Sequence, residues 1–503
     1  MEKNRTWQSF WLTLIVLVVL IALFWLPRIS LGGTELRRVN LLSDVQRLDQ
    51  GGNNLAELLA DSLDGYVKER IDSAAIAVPQ LAYVDSVPEG MVVIEDFADV
   101  DGLHREMDRF YAALDEARQR PVRIAYFGDS YIEGDIITMD LRAQLQQRYG
   151  GCGVGLVEIS CISSDFRRSV ITKRDSWTAY HANEKGRGFK PALQGIAGSY
   201  FIPADSATFE MRGTKSLYPG LLDTAAVATL YFTPGEGLSI SSSLNRGPAE
   251  LLYSNGPAQI PETYEELVEV IDSDSIVTYE TVTQVVLPEQ QDAGAIIAKS
   301  VQGRVGRWNL TVQGGTGSRF YGAAFDGTAG ISVDNFSLRG SGGQHIGKIP
   351  LETLQGFASV RPYDLIVLHF GLNVANEKQK NYAYYASQMG KVIKHLQAAF
   401  PKASILVVSV ADRDTRGPDG QMHTMDGVRE LLSYERKMAS DCGVAFWNLY
   451  QAMGGDGSIA RMAEKKQANL DYTHINFAGG RHLAGLLFDV LMNGKANYDE
   501  RTH

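Results

Sequence analysis

Runs of apolar residues alternate along the chain with segments whose apolar positions recur every three or four residues. The runs are four to eight residues long, the usual length of a buried strand, and the other segments have helical spacing. The predicted strands are residues 122–127, 330–334, 365–369, 405–410 and 444–447. The predicted helices are residues 97–118, 138–149, 378–400 and 424–440. Alternation of this kind predicts a parallel sheet covered by helices on both faces, a doubly wound α/β domain.

About 200 residues separate the first two predicted strands, far more than the roughly dozen residues that a crossover connection needs. The stretch between them carries short β-prone segments punctuated by Gly, Pro, Asn and Asp: residues 207–211, 227–232, 276–282 and 308–312. Short strands with frequent turn signals are typical of a sandwich. We therefore predict a β-sandwich over residues 165–320, inserted into an α/β domain made of residues 96–164 and 321–495.

The N-terminal segment has a different pattern. Residues 10–26 are apolar except for Thr13, and Lys3 and Arg5 precede them. This pattern predicts a single membrane-spanning anchor helix within residues 1–27, followed by a juxtamembrane linker region over residues 28–95. The chain would then sit in the inner membrane with the rest of the protein in the periplasm or outside the cell. A cleaved signal peptide and a buried core helix are the alternatives.

Composition narrows the partners. The chain has 503 residues and a formal net charge of −11, which argues against a nucleic acid partner. Its three cysteines, Cys152, Cys161 and Cys442, allow one disulfide bond and require none. Cys and His residues show no metal-ligand spacing, and the sequence predicts no cofactor.

Four short blocks carry candidate chemistry, and three of them follow predicted strands. Gly128-Asp129-Ser130 follows the first strand, Gly340 lies beyond the second, Asn373 lies beyond the third, and Asp471-Tyr472-Thr473-His474 lies near the C-terminus. Ligands of open α/β sheets bind beyond the carboxyl ends of the strands, so a parallel sheet would bring these blocks together.

The residue types fit nucleophilic catalysis. Ser130 is a candidate nucleophile, His474 its candidate base, and Asp471 the acid that orients the imidazole. The backbone N–H groups of Ser130 and Gly340 and the side-chain amide of Asn373 would form an oxyanion hole. Taken singly, each block also has a structural reading as a turn, a helix cap or a flexible loop. Gly151, Gly153 and Gly155 are rivals of Gly340, although their place before the insertion favours a turn.

Together, the order Gly-Asp-Ser, Gly, Gly-x-Asn and Asp-x-x-His resembles the SGNH (GDSL) hydrolase superfamily. The resemblance covers roughly residues 120–160 and 325–490. It implies an α/β, flavodoxin-like three-layer hydrolase domain in which Ser130, Gly340, Asn373 and His474 are the four namesake residues and Asp471 completes the triad. One departure is that Asn373 is followed by Val374, where the family often has aspartate.

The segment from Arg123 to Asp135 resembles more closely the exported branch that contains peptidoglycan and polysaccharide O-acetylesterases. That branch carries an inserted, carbohydrate-binding-like β-sandwich, which agrees with the insertion predicted here. The resemblance implies removal of acetyl esters from a cell-envelope glycan through an acyl-enzyme. Glu133 and Asp135 would line the pocket or cap a loop, and capping is favoured.

Three functions compete at the sequence level. The leading one is an exported serine O-acetylesterase acting on an acetylated glycan. The second is an O-acetyltransferase that uses the same triad and is served by a membrane acyltransferase partner. The third is an inactive glycan-binding protein, in which aromatic residues such as Trp177, Tyr180 or Trp308 would stack on sugars. Core packing is the favoured role of those three aromatics.

Overall fold

The computed structural model describes residues 85–98 and 105–502, apart from 165, 185–187, 216, 257, 271–276 and 287–293. Of residues 258–270 and 277–286 it describes the backbone. Earlier in the chain it describes two short antiparallel strands, β1 (Ser30–Leu31) and β2 (Thr34–Glu35), within a compact unit of residues 1–75. The predicted anchor, residues 1–27, and most of the predicted linker lie outside the described residues.

Residues 76–503 form a second compact unit, which holds all the other strands and helices that the structure describes. Its strands are β3 (Ile94–Asp96), β4 (Pro121–Gly128), β5 (Gly155–Val157), β6 (Val170–His181), β7 (Ser199–Gly213), β8 (Ala225–Thr233), β9 (Ser239–Leu244), β10 (Glu250–Ser254), β11 (Ala258–Val270), β12 (Val277–Val286), β13 (Ile297–Val305), β14 (Arg307–Gln313), β15 (Arg319–Asp326), β16 (Gly330–Ser337), β17 (Leu365–His369), β18 (Ser404–Val408), β19 (Asp414–Arg416), β20 (Met422–Thr424) and β21 (Ala445–Trp447). Its α-helices are α1 (Asp108–Asp115), α2 (Thr138–Tyr149), α3 (Leu351–Val360), α4 (Ala383–Ala399), α5 (Asp426–Cys442), α6 (Leu449–Ala452), α7 (Ser458–Glu464) and α8 (Phe477–Thr502).

A six-stranded sheet carries the predicted catalytic blocks. Its strand order is β16-β4-β17-β18-β21-β3. The first five strands are parallel, and β3 closes the edge antiparallel to β21. If the five parallel strands are numbered 1 to 5 along the chain, their order across the sheet is 2-1-3-4-5, which is the flavodoxin-like arrangement. The predicted α/β fold is therefore confirmed, while the antiparallel edge strand β3 was not predicted.

Apolar residues on both faces of this sheet explain its three layers. Along β4, Ala125 and Phe127 belong to one core cluster, while Ile124 and Tyr126 belong to the other. Helices α3, α4 and α5 pack on the first face, and α1, α2 and α8 pack on the second. Because both faces are covered, the central strands are continuous apolar runs, as the sequence indicated.

Apart from β11 and β12, which pair with each other, the strands between β4 and β16 form a separate antiparallel network of nine strands. Its order is β10-β9-β14-β7-β15-β8-β13, with β6 paired to β7 and β5 paired to β15. Buried side chains such as Phe209, Trp308 and Phe320 build its core. Strand β5 precedes the predicted range of residues 165–320, and β15 runs beyond it. The division into domains stays a prediction.

Two predicted helices are shorter than the periodicity indicated. The helix predicted over residues 97–118 is α1, which begins at Asp108. The Asp96 carboxylate accepts hydrogen bonds from the backbone N–H groups of Ala98, Glu106 and Met107, and these bonds compete with helical pairing. The helix predicted from residue 378 begins at Ala383, whose N–H donates to the side chain of Asn381.

Within the part of the chain that the structure describes, no helix has both the length and the apolar character needed to cross a membrane. Cys152, Cys161 and Cys442 are free thiols.

Candidate active site

Three adjacent strands bring three of the sequence blocks to one edge of the sheet. β4 is paired with β16 on one side and with β17 on the other, and all three run parallel. Ser130, Gly340 and Asn373 follow the carboxyl ends of β4, β16 and β17. The N–H of Leu338 donates to the carbonyl of Gly128 at 2.9 Å, which ties the second block to the first. The three blocks therefore come together because β16, β4 and β17 are neighbours in the sheet.

The turn that presents Ser130 depends on small residues. A Cβ at Gly128 would lie 2.9 Å from both the carbonyl oxygen of His369 and a side-chain carbon of Ile132. The side chain of Asp129 accepts a hydrogen bond from the N–H of Tyr131 at 3.0 Å, an Asx turn. Glycine thus permits the close approach of β17, and aspartate closes the turn around the serine.

Ser130, His474 and Asp471 form a continuous hydrogen-bonded chain. His474 Nε2 lies 3.1 Å from Ser130 Oγ, and His474 Nδ1 lies 2.9 Å from Asp471 Oδ2. Because the carboxylate can only accept, it fixes the proton on Nδ1 and leaves Nε2 free to accept the serine proton. This is the arrangement of nucleophile, base and orienting acid.

The loop before α8 holds the acid and the base together. Asp471 Oδ1 accepts from the backbone N–H groups of Thr473 and His474, each at 3.0 Å. Burial opposes ionisation, but the backbone N–H and imidazole of His474 and the N–H of Thr473 together lower the pKa of Asp471. The carboxylate is therefore charged at neutral pH.

Gly340 and Asn373, the two other predicted oxyanion donors, differ in whether their N–H groups already have acceptors. Gly340 is exposed, has a φ of 75°, and its N–H has no acceptor among the described residues. The Asn373 amide nitrogen donates to Asp129 Oδ2 at 3.1 Å and to the carbonyl of Ser341 at 3.2 Å. Since an amide nitrogen carries two hydrogens, both are occupied. One must be exchanged or shared before Asn373 can bind an oxyanion.

Asp129 is a functional candidate to which the sequence interpretation gave no role. Its carboxyl is buried beside the triad and accepts from both Tyr131 and Asn373. Burial raises the pKa of Asp129 to about 7, against the hydrogen bonds of those partners and the charge of His474. Asp129 is part of the Gly-Asp-Ser block, but the sequence alone could not show that its carboxyl pairs with Asn373. Asp129 therefore orients the side-chain amide of Asn373.

Glu133 and Asp135 lie in the short turn Glu133–Asp135 after the serine. Asp135 Oδ1 accepts a hydrogen bond from Thr138 Oγ1 at 2.6 Å, at the start of α2, which has no side-chain cap on its backbone N–H groups. It is also a buried ion-pair centre, in contact with Arg142 and Arg167, which hold its pKa well below the usual range despite burial. Glu133 instead forms an ion pair with Arg339, the residue that precedes Gly340.

The rival glycines lie away from this edge. A Cβ at Gly151 would come within 2.6 Å of the backbone nitrogen of Ile331, near the start of β16. The serine lies at the opposite end of that strand. Gly340 instead follows the carboxyl end of β16, the end that lies beside Gly128.

A cavity of about 570 Å³ lies on the antiparallel part of the molecule. Among the residues that line it are Arg174, Trp177, Tyr180 and His181. The indole N–H of Trp177 donates to the carbonyl of Thr208 at 2.8 Å, and its ring meets Phe320 edge to face. Trp308, in contrast, is fully buried in the core.

In the described part of the chain, no cluster of three or more His, Cys, Asp or Glu residues has the arrangement of a metal site.

Comparison with known proteins identifies the fold. No family model matches the chain, and no curated protein matches it in sequence. A solved structure of a peptidoglycan O-acetylesterase matches over 80% of this chain and 99% of its own length, with 16% identity and a TM-score of 0.58.

Two further matches are a family two carbohydrate esterase from Cellvibrio japonicus and a GDSL-like lipase from Bacteroides thetaiotaomicron. The first has 9% identity over 66% of this chain and 98% of its own, with a TM-score of 0.23. The second has 17% identity over 33% and 76%, with a TM-score of 0.22. These two scores are too low to carry an argument. The first match shows that the chain has the fold of that peptidoglycan O-acetylesterase structure, in agreement with the resemblance of its sequence blocks to the SGNH hydrolase superfamily.

Proposed function

We propose that the protein is a serine esterase that removes O-acetyl groups from a cell-envelope polysaccharide or another glycan. The observation that carries the proposal is the hydrogen-bonded chain from Ser130 through His474 to Asp471 at the edge of the sheet. The substrate class rests on the likeness in fold to a peptidoglycan O-acetylesterase.

The chemistry proceeds in two halves. Ser130 Oγ attacks the acetyl carbonyl carbon while its proton passes to His474 Nε2. The bond from that carbon to the sugar oxygen then breaks, and the sugar oxygen takes the proton from His474. A water molecule attacks the acetyl-serine, His474 takes its proton, and the serine oxygen leaves with that proton as acetate is released. Asp471 stabilises the imidazolium at each half.

The negative charge on the tetrahedral intermediate needs fixed donors. The unpaired N–H groups of Ser130 and Gly340 are the first candidates, because no described residue accepts from them. Asn373 becomes the third donor when the amide hydrogen that it now donates to the carbonyl of Ser341 turns to the oxyanion instead. Donors of this kind are typically worth about a hundredfold to a thousandfold in rate each.

Exposure of the triad favours hydrolysis over transfer to a second sugar. The side chains of His474 and Asp471 are 42% and 48% exposed. Water therefore has a path to the acetyl-serine, whereas a transferase must exclude water from it. An acetyltransferase remains the competing proposal, and an inactive glycan-binding protein would have no need of an intact triad.

We also propose export, with residues 1–27 as an inner-membrane anchor and the esterase in the periplasm or outside the cell. The apolar pattern of residues 10–26 after Lys3 and Arg5 supports this proposal. An acetylated glycan and a membrane acyltransferase are the partners that this location would offer.

Replacing the nucleophile tests the proposal. Ser130→Ala should lower kcat for p-nitrophenyl acetate by about a thousandfold or more, because the triad acts as a unit. The same variant should release no acetate from O-acetylated peptidoglycan. Wild-type protein that moves acetyl onto an added glycan, without free acetate, would identify a transferase instead. Activity retained in Ser130→Ala would refute the mechanism.

A further inference from the structure

An ion pair between a buried glutamate, Glu133, and a half-exposed arginine, Arg339, joins the segment after the nucleophile to the loop that carries Gly340. Glu133 follows Ser130 by three residues, and its side chain is only 6% exposed. Both Nε and Nη2 of Arg339 lie 2.8 Å from Glu133 Oε2. Arg339 directly precedes Gly340. The pair therefore fixes the residue next to a predicted oxyanion donor.

The backbone of the same arginine is held from another direction. Its carbonyl accepts a hydrogen bond from the side-chain amide of Asn183 at 2.9 Å. Asn183 follows β6, in the antiparallel part of the molecule. On either side of Arg339, Leu338 bonds to Gly128 and the carbonyl of Ser341 accepts from Asn373. Polar contacts thus surround Gly340 without touching it.

Packing does not hold Gly340 itself. A Cβ placed on it would meet nothing within 4 Å, and the residue is exposed. A donor in an oxyanion hole is effective only when it is fixed before the charge develops. The position of the Gly340 N–H therefore depends on what holds its neighbours. Among the contacts just named, that of Arg339 with Glu133 is the charged one, and charge-assisted hydrogen bonds are generally stronger than neutral ones.

The carboxylate side of the pair has little other support. Glu133 is buried, and its Oε1 has no hydrogen-bond partner among the described residues. A carboxylate taken out of water is costly unless it is paired. The buried Glu133 carboxylate therefore depends on Arg339 for its charge pairing, close to the nucleophile.

We propose that Glu133 and Arg339 are positioning residues that hold the Gly340 N–H in place as an oxyanion donor. The proposal rests on the esterase function proposed above and names two residues that set its rate. Neither side chain takes part in proton transfer. Their effect is on kcat, because the oxyanion exists in the transition state and not in the bound ester.

The test uses Glu133→Gln, Arg339→Gln and Arg339→Lys in the full chain, with p-nitrophenyl acetate as substrate. Glu133→Gln and Arg339→Gln should each lower kcat about tenfold to a hundredfold, less than loss of a whole donor, with KM changed less than twofold. Arg339→Lys keeps the charge but loses the planar fork, so its loss should be intermediate. The double Gln variant should lose no more than the worse single variant.

The matched control is Glu95→Gln, which breaks another glutamate–arginine pair, with Arg436, at the β3 edge of the sheet. Its kcat should stay within twofold of wild type. Equal kcat losses in Glu95→Gln and Glu133→Gln would overturn the proposal, because general loosening of the fold would explain both. A kcat unchanged in Glu133→Gln, or a loss confined to KM, would overturn it as well.

Failure of this proposal is distinct from failure of the esterase function. If wild-type protein releases acetate, Ser130→Ala does not, and Glu133→Gln matches wild type, only the positioning role is refuted. If wild-type protein shows no Ser130-dependent turnover, the esterase function itself is refuted.

Discussion

At the scale of the residue, Ser130 owes its proposed reactivity to the groups around it. His474 lies 3.1 Å from its hydroxyl, and the Asp471 carboxylate fixes the tautomer that can accept its proton. Below them, Asp129 closes the turn and bonds Asn373. Each of these side chains has a separable effect that substitution can measure.

Asp471→Asn tests the orienting acid. An amide can offer its N–H to the imidazole, which favours the tautomer with the proton on Nε2 and leaves no base for Ser130. We expect kcat for p-nitrophenyl acetate to fall by about a thousandfold or more while the fold is retained. A loss below tenfold would mean that Asp471 is not the triad acid.

Asp129→Asn tests the buried carboxyl through the pH dependence of stability. An unfolded aspartate titrates near pH 3.9, whereas burial raises the pKa of Asp129 to about 7 in the fold. Stability from the retained proton is complete below about pH 4 and is lost as the pH rises through about 7. The neutral variant should therefore gain roughly 2 to 4 kcal/mol relative to wild type across that window. Urea unfolding at both ends measures it, and a difference that does not change with pH would contradict the assignment.

The sequence could predict the triad but not the contacts that support it. Ser130, Asp471 and His474 stand in recognisable short blocks, so their types and order were enough. The bond from Asn373 to Asp129 and the pair of Glu133 with Arg339 join residues 244 and 206 positions apart. No local pattern encodes such pairs, because they exist only once β4, β16 and β17 are neighbours.

At the scale of the element, close packing of α8 supports the nucleophile segment. Gly480 lies on α8 where a Cβ would overlap the carbonyl oxygen of Ile136, in the segment between Ser130 and α2. The glycine thus lets the C-terminal helix approach this segment directly.

Gly480→Ala and Gly485→Ala form a matched pair on this helix. Gly480→Ala should destabilise the protein by about 1 to 3 kcal/mol through overpacking. A Cβ at Gly485 meets nothing within 4 Å, so Gly485→Ala should stabilise by about 0.5 to 1 kcal/mol through helix propensity alone. Thermal or urea unfolding compares them, and equal effects at the two positions would contradict the packing.

Continuous apolar runs made the central strands predictable, whereas the element ends were set by side chains. Strand β17 and helix α2 have the predicted bounds. Helix α4 starts later than its periodicity indicated, at Ala383, whose N–H donates to the Asn381 side chain just before the helix. Strand β3 was missed since a three-residue edge strand carries too short a pattern to recognise.

At the scale of the whole molecule, the antiparallel network touches the catalytic edge through Asn183 and carries the cavity lined by Trp177. We expect this cavity to contribute to binding of a polymeric glycan and not to cleavage of the ester. The short β-prone segments of this region were enough to predict β structure. Which aromatic side chains face outward depends on the strand register, which the sequence alone does not show.

Trp177→Ala separates the two roles. It should lower kcat/KM for an O-acetylated polysaccharide about fivefold to tenfold, since an aromatic contact is worth roughly 1 kcal/mol. Turnover of p-nitrophenyl acetate should not change. Tyr384→Ala, which removes an exposed aromatic on α4 outside the cavity, is the control. A loss on both substrates would show that Trp177 acts through the fold.

The central claim is that the acetyl group passes through Ser130. Wild-type protein mixed with p-nitrophenyl acetate and acid-quenched during turnover should gain the mass of one acetyl group, mapped by peptide mass spectrometry to the segment that holds Ser130. Ser130→Ala should gain none and release no acetate. An acetyl group on another residue, or turnover that continues in Ser130→Ala, would contradict the account.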